Sequence, residues 1–459
     1  MLFRKSKRSK AIHKRSFSAS PTRAIAVAFA GIILLGALLL CLPVASRDGK
    51  SCGFLPALFT STSSTCVTGL VMFDTYTQWS GFGQAVIISL IEVGGLGFMT
   101  AAAMVVFLLR RKVGLKQRML MAQALSVSDM ESVVKLQKWV IFGSLGIQLL
   151  GALVLMLRFL PQYGLEQAVK WGIFHSVSAF CNAGFDIFGA LQPGSSVAVF
   201  QNDPVVLITL MALIIVGGLG FFVWEEVVRL HRFRKFSVYT KLVLITSFVL
   251  LVGGALVFML LEWNNPGTLG NLSTGDKVTN AFFQSTTLRT AGFASVDQGA
   301  LTEGGKAVSL FLMLIGGSSG STAGGLKTVT FVVLLLFVWH RARGKRSVHV
   351  FHRSIAGDKI MDAMTIALIM ILLAFAGATV ICATSDISFT DSLFESVSAL
   401  ATVGLTTGVT TALSVPAQLI IILFMYFGRV GILTISLGFL MGNRAEERFQ
   451  YAQTNLLIG

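Results

Sequence analysis

Four short stretches ending on glycine carry residue types suited to holding a dehydrated monovalent cation. Gly69 sits in CVTGL, Gly184 in CNAGF, Gly292 in RTAGF and Gly404 in ATVGL, at intervals of 115, 108 and 112 residues. A Phe/Ser/Ala-rich run precedes each one: PALFTSTSST, FHSVSAF, AFFQSTTL and LFESVSAL. A cation that leaves water needs oxygen ligands in its place, and rings of backbone carbonyls from equivalent loops supply them. Such a loop needs a residue free to take left-handed angles, so that successive carbonyls turn inward, and glycine does this at least steric cost. Half-helices leading into the loops would aim their C-terminal partial negative charge at the centre. No ring of four Asp or Glu accompanies the repeats, which argues against a carboxylate filter. One glycine turn signifies little, but four at this interval point to four equivalent parts around one axis.

Three further features have chemical potential. Residues 316–328, GGSSGSTAGGLKT, interrupt an apolar helix with residues that cannot continue it cheaply. Arg429 lies in the apolar run 419–441, where a charge is costly and faces the protein interior. It either pairs with Glu92 or Glu225 or serves a functional site. Arg289 opens the third pentad where the others have Cys66, Cys181 and Ala401; turned inward it would repel cations, and the expectation is that it turns behind the loop and supports the filter carbonyls. Asn182 is a polar support or extra ligand in the second pentad, and His175 reads as a hydrogen-bonded packing residue. Cys41, Cys52, Cys66, Cys181 and Cys382 show no metal-ligand spacing, and their odd number gives no disulfide framework.

The elements that must position these residues are membrane helices. The chain is 54% hydrophobic and 13% charged with a mean hydropathy of +0.77, about half the charge of a soluble domain. Runs at 24–44, 139–157, 242–261 and 366–382 approach or exceed the ~20 residues that cross a bilayer. The net charge of +16 is not a nucleic-acid footprint, because 28 of the 37 Lys and Arg fall in five clusters, at 1–23, 110–138, 229–241, 341–359 and 443–459. Excess Lys/Arg marks the cytoplasmic side, so an even number of crossings between clusters gives eight spans with both termini inside. The last large cluster, HRARGKRSVHVFHR, suits anionic lipid or an acidic partner surface.

Each quarter reads as helix, re-entrant half-helix, pentad, helix. The segments are 24–44, 54–65, 66–70 and 84–109; 138–160, 168–180, 181–185 and 205–228; 241–261, 276–288, 289–293 and 306–339; and 359–383, 390–400, 401–405 and 417–441. Non-helical backbone at membrane depth is tolerated only inside protein or along a water-filled cavity, which confines the pentads to the interior. A glycine cluster follows each pentad, at Gly94, Gly217, Gly316 and Gly428, where small residues permit close helix approach or bends. The expectation is an all-α polytopic membrane protein of four helix–pore loop–helix repeats around a pseudo-fourfold pore. It divides into a basic arm 1–23, repeats 24–115, 116–229, 230–340 and 341–442, and a tail 443–459.

VTGL, CNAGF, RTAGF, TVGL, GGSSGSTAGGLKT and FGRVG together carry a resemblance. The chain is similar, from about residue 24 to its end, to the superfamily of potassium transporters that includes the bacterial Ktr and Trk membrane subunits, and most of all to the Ktr type. The resemblance implies a single-chain imitation of a tetrameric potassium channel. Its filter would be made by Val67, Thr68 and Gly69; Asn182, Ala183 and Gly184; Thr290, Ala291 and Gly292; and Thr402, Val403 and Gly404. Against the longer TVGYG of potassium channels each loop keeps one glycine, which implies fewer ion sites and weaker discrimination. Gly316, Gly317, Ser318, Ser319, Gly320, Ser321, Thr322, Ala323, Gly324 and Gly325, with Lys327, would form an intramembrane gate below the filter, and Arg429 an electrostatic barrier beside it. The resemblance also implies K+ as cargo, Na+ as activator or co-ion, no nucleotide bound by this chain, and a bacterial inner-membrane location. Its implied partners are a cytoplasmic ring of nucleotide-binding, ATP/ADP-sensing subunits and a second copy of the chain, with the C-terminal NLLIG between protomers.

Two rivals remain. A sodium-coupled secondary transporter normally shows two inverted repeats rather than four parallel ones. An intramembrane hydrolase would need Ser318, Ser319 or Ser321 beside a base such as His175, and no spacing points that way. GSTAGGLKT nearly spells a phosphate loop, but Leu326 separates Gly325 from Lys327 and no strand precedes it.

Overall fold

The computed structural model describes residues 21–97, 133–345 and 347–431. The basic arm up to residue 20, the Lys/Arg cluster at 110–118, the distal part of the expected 84–109 and 417–441 helices, and the tail 443–459 lie outside the described residues.

The first repeat holds α1 (Pro21–Leu40), α2 (Phe54–Cys66), the single turn α3 (Thr75–Gln78) and α4 (Gly81–Leu96). The second holds α5 (Val133–Phe180), α6 (Pro204–Leu219) and α7 (Phe221–Leu230). The third has α8 (Val238–Glu262), α9 (Thr274–Thr287), α10 (Glu303–Leu314) and α11 (Thr328–Ala342). The fourth has α12 (Gly357–Thr384), α13 (Phe389–Leu400) and α14 (Val415–Val430). A two-stranded antiparallel hairpin, β1 (His349–Val350) with β2 (Arg353–Ser354), projects between α11 and α12 and was not foreseen. Its turn residues Phe351 and His352 both have positive φ, as a tight two-residue hairpin turn requires.

The helices begin where the sequence supplies an acceptor for their unpaired N–H groups. Ser80, Ser237, Ser273, Thr302, Ser388 and Ser414 each accept from the N–H three residues on, at the heads of α4, α8, α9, α10, α13 and α14. Asp203 caps α6, with Pro204 pre-set at the first helical position. Helix α5 carries both a span and a half-helix, bent at Gly164 where φ is +77°.

Gln137–Phe180, Val238–Glu262 and Gly357–Thr384 are long and apolar enough to cross a membrane. The bent pair α6–α7 and the shorter apolar helices Ile25–Leu40, Gly81–Leu96, Thr328–Ala342 and Val415–Val430 occupy the other expected span positions. Polarity runs inside out. Phe142, Leu149, Leu260 and Leu368 are exposed on the outer faces, while Thr60 to Cys66 of α2 are all buried. Exposed apolar faces around a polar centre suit a bilayer, where every polar group must be satisfied within the protein.

The expected continuous helix 205–228 is two helices meeting at 95°. The break is at Gly220, whose φ of +95° a helix cannot accommodate. Helices α4 and α14 likewise end on a glycine of positive φ, Gly97 (φ +85°) and Gly431 (φ +94°). In the third repeat the chain leaves α10 at the same stage and returns only at α11. Among the described residues, three of these helices thus end on a glycine of positive φ, and the fourth gives way to a thirteen-residue excursion.

Candidate functional site

Four half-helices, α2, the second half of α5, α9 and α13, deliver the four glycine loops. Each is hung from the preceding long helix of its own repeat by one hydroxyl. Ser61 Oγ donates to the Ile33 carbonyl (2.6 Å), Ser176 Oγ to Gln148 (2.6 Å), Ser285 Oγ to Leu251 (2.8 Å) and Ser396 Oγ to Ala374 (2.8 Å). Two residues further along, a second hydroxyl fixes each loop from behind. The Gly69 N–H donates to Ser63 Oγ (3.1 Å) and the Gly404 N–H to Ser398 Oγ (3.0 Å). Ser178 Oγ donates to the Phe185 carbonyl and Thr287 Oγ1 to the Phe293 carbonyl, both at 2.7 Å.

The loops share one backbone shape. Val67, Asn182, Thr290 and Thr402 are left-handed, with φ between 53° and 65°, and Gly69, Gly184, Gly292 and Gly404 have φ between 69° and 104°. Left-handed conformations in non-glycine residues are uncommon, and strained backbone of this kind collects at functional sites. All twelve residues of the four triplets, from Val67 to Gly404, are buried.

The glycines meet one another in a closed ring. A Cβ added at Gly69 would lie 2.6 Å from the Ala183 carbonyl oxygen, one at Gly184 2.7 Å from that of Ala291, and one at Gly292 2.7 Å from that of Val403. One at Gly404 would strike the Thr68 carbonyl, which closes the circle. The carbonyls of Thr68, Ala183, Ala291 and Val403 thus stand at equivalent points around a single axis. The hydroxyls of Thr68, Thr290 and Thr402 are buried there without a hydrogen-bond partner among the described residues. Neutral oxygens converging on an axis can replace a hydration shell.

A third set of supports was foreseen only at His175, read as a hydrogen-bonded packing residue. Counting from the tethering serines, Thr60, His175, Gln284 and Glu395 occupy equivalent places. His175 Nδ1 bonds the Trp171 carbonyl (2.7 Å), its Nε2 accepts from the Ile187 N–H (3.2 Å), and its ring stacks on Phe188 at 3.7 Å. Gln284 pairs with Gln298 (2.6 Å), and Glu395 Oε1 accepts from the hydroxyls of Thr406 and Thr410. Each of these three side chains grips the strand leaving its loop.

Arg289 turns away from the ring. Its guanidinium donates to Ser247 Oγ on α8 at 3.2 Å. Asn182 reaches sideways instead, with its Nδ2 3.5 Å from the Arg289 carbonyl and its Oδ1 accepting from Thr322 Oγ1 at 3.3 Å.

Thr322 belongs to the excursion 316–328. Its neck is closed by the Gly316 N–H to the Leu326 carbonyl (2.9 Å) and the Thr328 N–H to the Gly317 carbonyl (3.1 Å). One flank lies on the broken helix: the Ser318 N–H donates to the Gly218 carbonyl, the Phe221 N–H to Gly320, and Tyr239 OH to Ser319. Thr322 Oγ1 also reaches the Phe180 carbonyl (3.1 Å). On the far side Gly324 abuts Thr402, and Gly325 lies beside the Ala401 carbonyl. The excursion therefore runs from the second glycine loop to the fourth, beneath the ring. Lys327 Nζ folds back onto the Ala323 carbonyl at 2.7 Å.

Arg429 bonds the carbonyls of Thr322 and Gly94, and that of Gly95 at 2.9 Å. It ties α14 to the excursion and to the end of α4. The ion pairs considered for it are absent among the described residues. Glu92 takes Gln148 Nε2 (2.9 Å) and the Cys181 thiol (3.3 Å), and Glu225 pairs with Arg229 (3.5 Å). The serine–histidine pairing is absent too. Ser318 bonds Thr328, Ser321 bonds the Ser318 carbonyl, and both ring nitrogens of His175 are committed to backbone.

The family model TrkH, described as a cation transport protein, matches residues 2–449 of this chain. The potassium/sodium uptake protein NtpJ of Enterococcus hirae is 38% identical over 445 residues, covering 96% of this chain and 97% of that one. Ktr system potassium uptake protein B of Bacillus subtilis is 40% identical over 430 residues, covering 94% and 95%. Among solved structures, the potassium transporter TrkH from Vibrio parahaemolyticus superposes with a TM-score of 0.71 at 18% identity, over 93% of this chain and 86% of that one.

Proposed function

The chain belongs to the TrkH cation transport family, and from that premise we propose that it takes up potassium across a bacterial cell membrane through a channel-like pore on the axis of its four glycine loops. The observation that carries this reading is the closed ring in which Gly69, Gly184, Gly292 and Gly404 abut one another's loops. Val67, Thr68, Asn182, Ala183, Thr290, Ala291, Thr402 and Val403 complete the filter. Potassium is the cargo because the relatives' names give potassium uptake and because neutral carbonyls suit a weakly hydrated monovalent ion. Arg289, fixed on Ser247, supports the third loop from behind.

The excursion 316–325 with Lys327 acts as the gate, and Arg429 latches it while placing positive charge beside the ion path. The end bearing the gate also carries the Lys/Arg clusters 229–241 and 341–359, which supports reading it as the cytoplasmic end. A cytoplasmic nucleotide-sensing ring docks on this basic face, and two copies of the chain associate. Sodium enters as activator or co-ion; one relative's name couples both ions.

The test is uptake of labelled rubidium into liposomes containing the purified chain, with sodium varied and the cytoplasmic partner added or omitted. Saturable flux that potassium competes for is the expected result. A protein that reconstitutes folded but carries no rubidium under any of these conditions refutes the reading.

A further inference from the structure

Two of the five cysteines meet at one backbone carbonyl at the end of the molecule opposite the gate. Cys41 follows the last residue of α1, and Cys52 stands two residues before the first of α2. Cys41 Sγ is 3.7 Å from the Gly53 carbonyl oxygen, and Cys52 Sγ is 3.5 Å from that same oxygen. Cys52 Sγ also lies 3.8 Å from the Leu40 carbonyl. Each sulfur therefore rests on the backbone next to the other cysteine; both thiols are free in the structure, and a turn of the two side chains about their shared oxygen neighbour would bring them together. Both are half-exposed. Burial raises the Cys52 thiol, and the neighbouring Cys41 raises it further.

The intervening segment is held in place. Ser46 bridges to Trp79, the Arg47 N–H donates to the Gln78 carbonyl (2.9 Å), and the Arg47 guanidinium lies 3.8 Å over the Tyr76 ring. Ser80 Oγ donates to the Val44 carbonyl at 2.6 Å. These ties fix the loop against α3 and the head of α4, so the two cysteines do not depend on a chance encounter of chain ends. Cys66 and Cys181 are fully buried within the pore repeats, and Cys382 is remote in sequence on α12.

We propose that Cys41 and Cys52 form a disulfide on the extracytoplasmic face, fastening the end of α1 to the entry of the first pore helix. The proposal rests on the outward placement of this loop in the preceding reading. Two S–H bonds break and one S–S bond forms, and the two electrons and two protons reduce the disulfide of an extracytoplasmic thiol oxidase to its dithiol. Because oxidation requires that compartment, the bond also reports the loop's sidedness.

Arg47 and Lys50 lie between the two cysteines, so trypsin cuts the loop. The full-length protein is taken from cells with extracytoplasmic thiol-oxidising machinery and digested under alkylating conditions. Peptides 24–47 and 51–110 are expected to travel as one species, lighter than their sum by two hydrogens, and to separate on reduction. In intact cells a membrane-impermeant maleimide labels neither cysteine until a reductant is added. Cys41→Ser leaves Cys52 labelled without reductant, and Cys52→Ser does the same for Cys41. Labelling of both from outside before reduction overturns the disulfide and leaves the topology standing. Labelling only after the membrane is permeabilised overturns both.

Discussion

Gly292→Ser is the sharpest probe of the ring, because its new Cβ reaches all three other loops. It would lie 2.7 Å from the Val403 carbonyl oxygen, 3.1 Å from the Gly184 Cα and 3.3 Å from the Thr68 carbonyl oxygen. Restoring ordinary contact requires the Val403 carbonyl to retreat by about 0.7 Å, more than the difference in radius between potassium and sodium ions. Holding a substituted residue at φ +80° adds roughly 1–2 kcal/mol. If that strain falls on the loaded filter, potassium affinity weakens about 5- to 30-fold, and the preference over sodium weakens with it. The assay is rubidium uptake competed by potassium and by sodium, in liposomes matched for protein content. Two controls isolate the cause. Gly408→Ala has comparable backbone strain (φ +95°) with no atom near the new Cβ, and Gly253→Ala in α8 has neither strain nor clash. Gly292→Ser with unchanged potassium half-saturation and unchanged ion preference refutes the carbonyl ring as the selective element.

Arg429→Gln removes the charge and weakens three carbonyl bonds, two of them to α4 and one to the excursion. With charged hydrogen bonds worth about 1.5–3 kcal/mol, rubidium flux without any cytoplasmic partner should rise roughly ten- to hundredfold, and unchanged flux counts against the latch. At Glu395, Gln keeps an acceptor for Thr406 and Thr410, whereas Ala leaves the Thr406 hydroxyl without its acceptor and Thr410 only its bond to Thr406 Oγ1. Glu395→Ala should therefore lose about 1–3 kcal/mol in thermal unfolding of the purified protein while Glu395→Gln stays close to the parent; equal losses would show that the charge, not the acceptor, matters.

What could be read from the chain was whatever repeats in residue type. The four glycines and the hydroxyl-rich runs before them are visible because each loop meets the same steric and hydrogen-bonding demand. The excursion is visible because its small residues cannot extend a membrane helix. The common grip on the exit segments was hidden, since His175, Gln284 and Glu395 share a place but no chemistry, and Thr60 at the fourth such place makes no such contact among the described residues. The third repeat is also one residue shorter between Ser285 and Gly292 than its counterparts, which slips the alignment. The break at Gly220 was masked by the apolar run around it, because hydropathy records composition and not φ. Arg429 stood out as a buried charge, yet its carbonyl partners at Gly94, Gly95 and Thr322 are 335, 334 and 107 residues away along the chain, and backbone acceptors leave no trace in residue type.

The excursion reaches across the axis from Asn182 to Thr402, and there is space under the ring for one such crossing. A homotetramer built from identical quarters would have to aim four plugs at the same spot, or none. Joining the quarters end to end lets three helices stop on a plain glycine while a single quarter carries the crossing segment; if that segment is the proposed gate, occlusion is a one-copy decision that an arginine on another quarter can oversee.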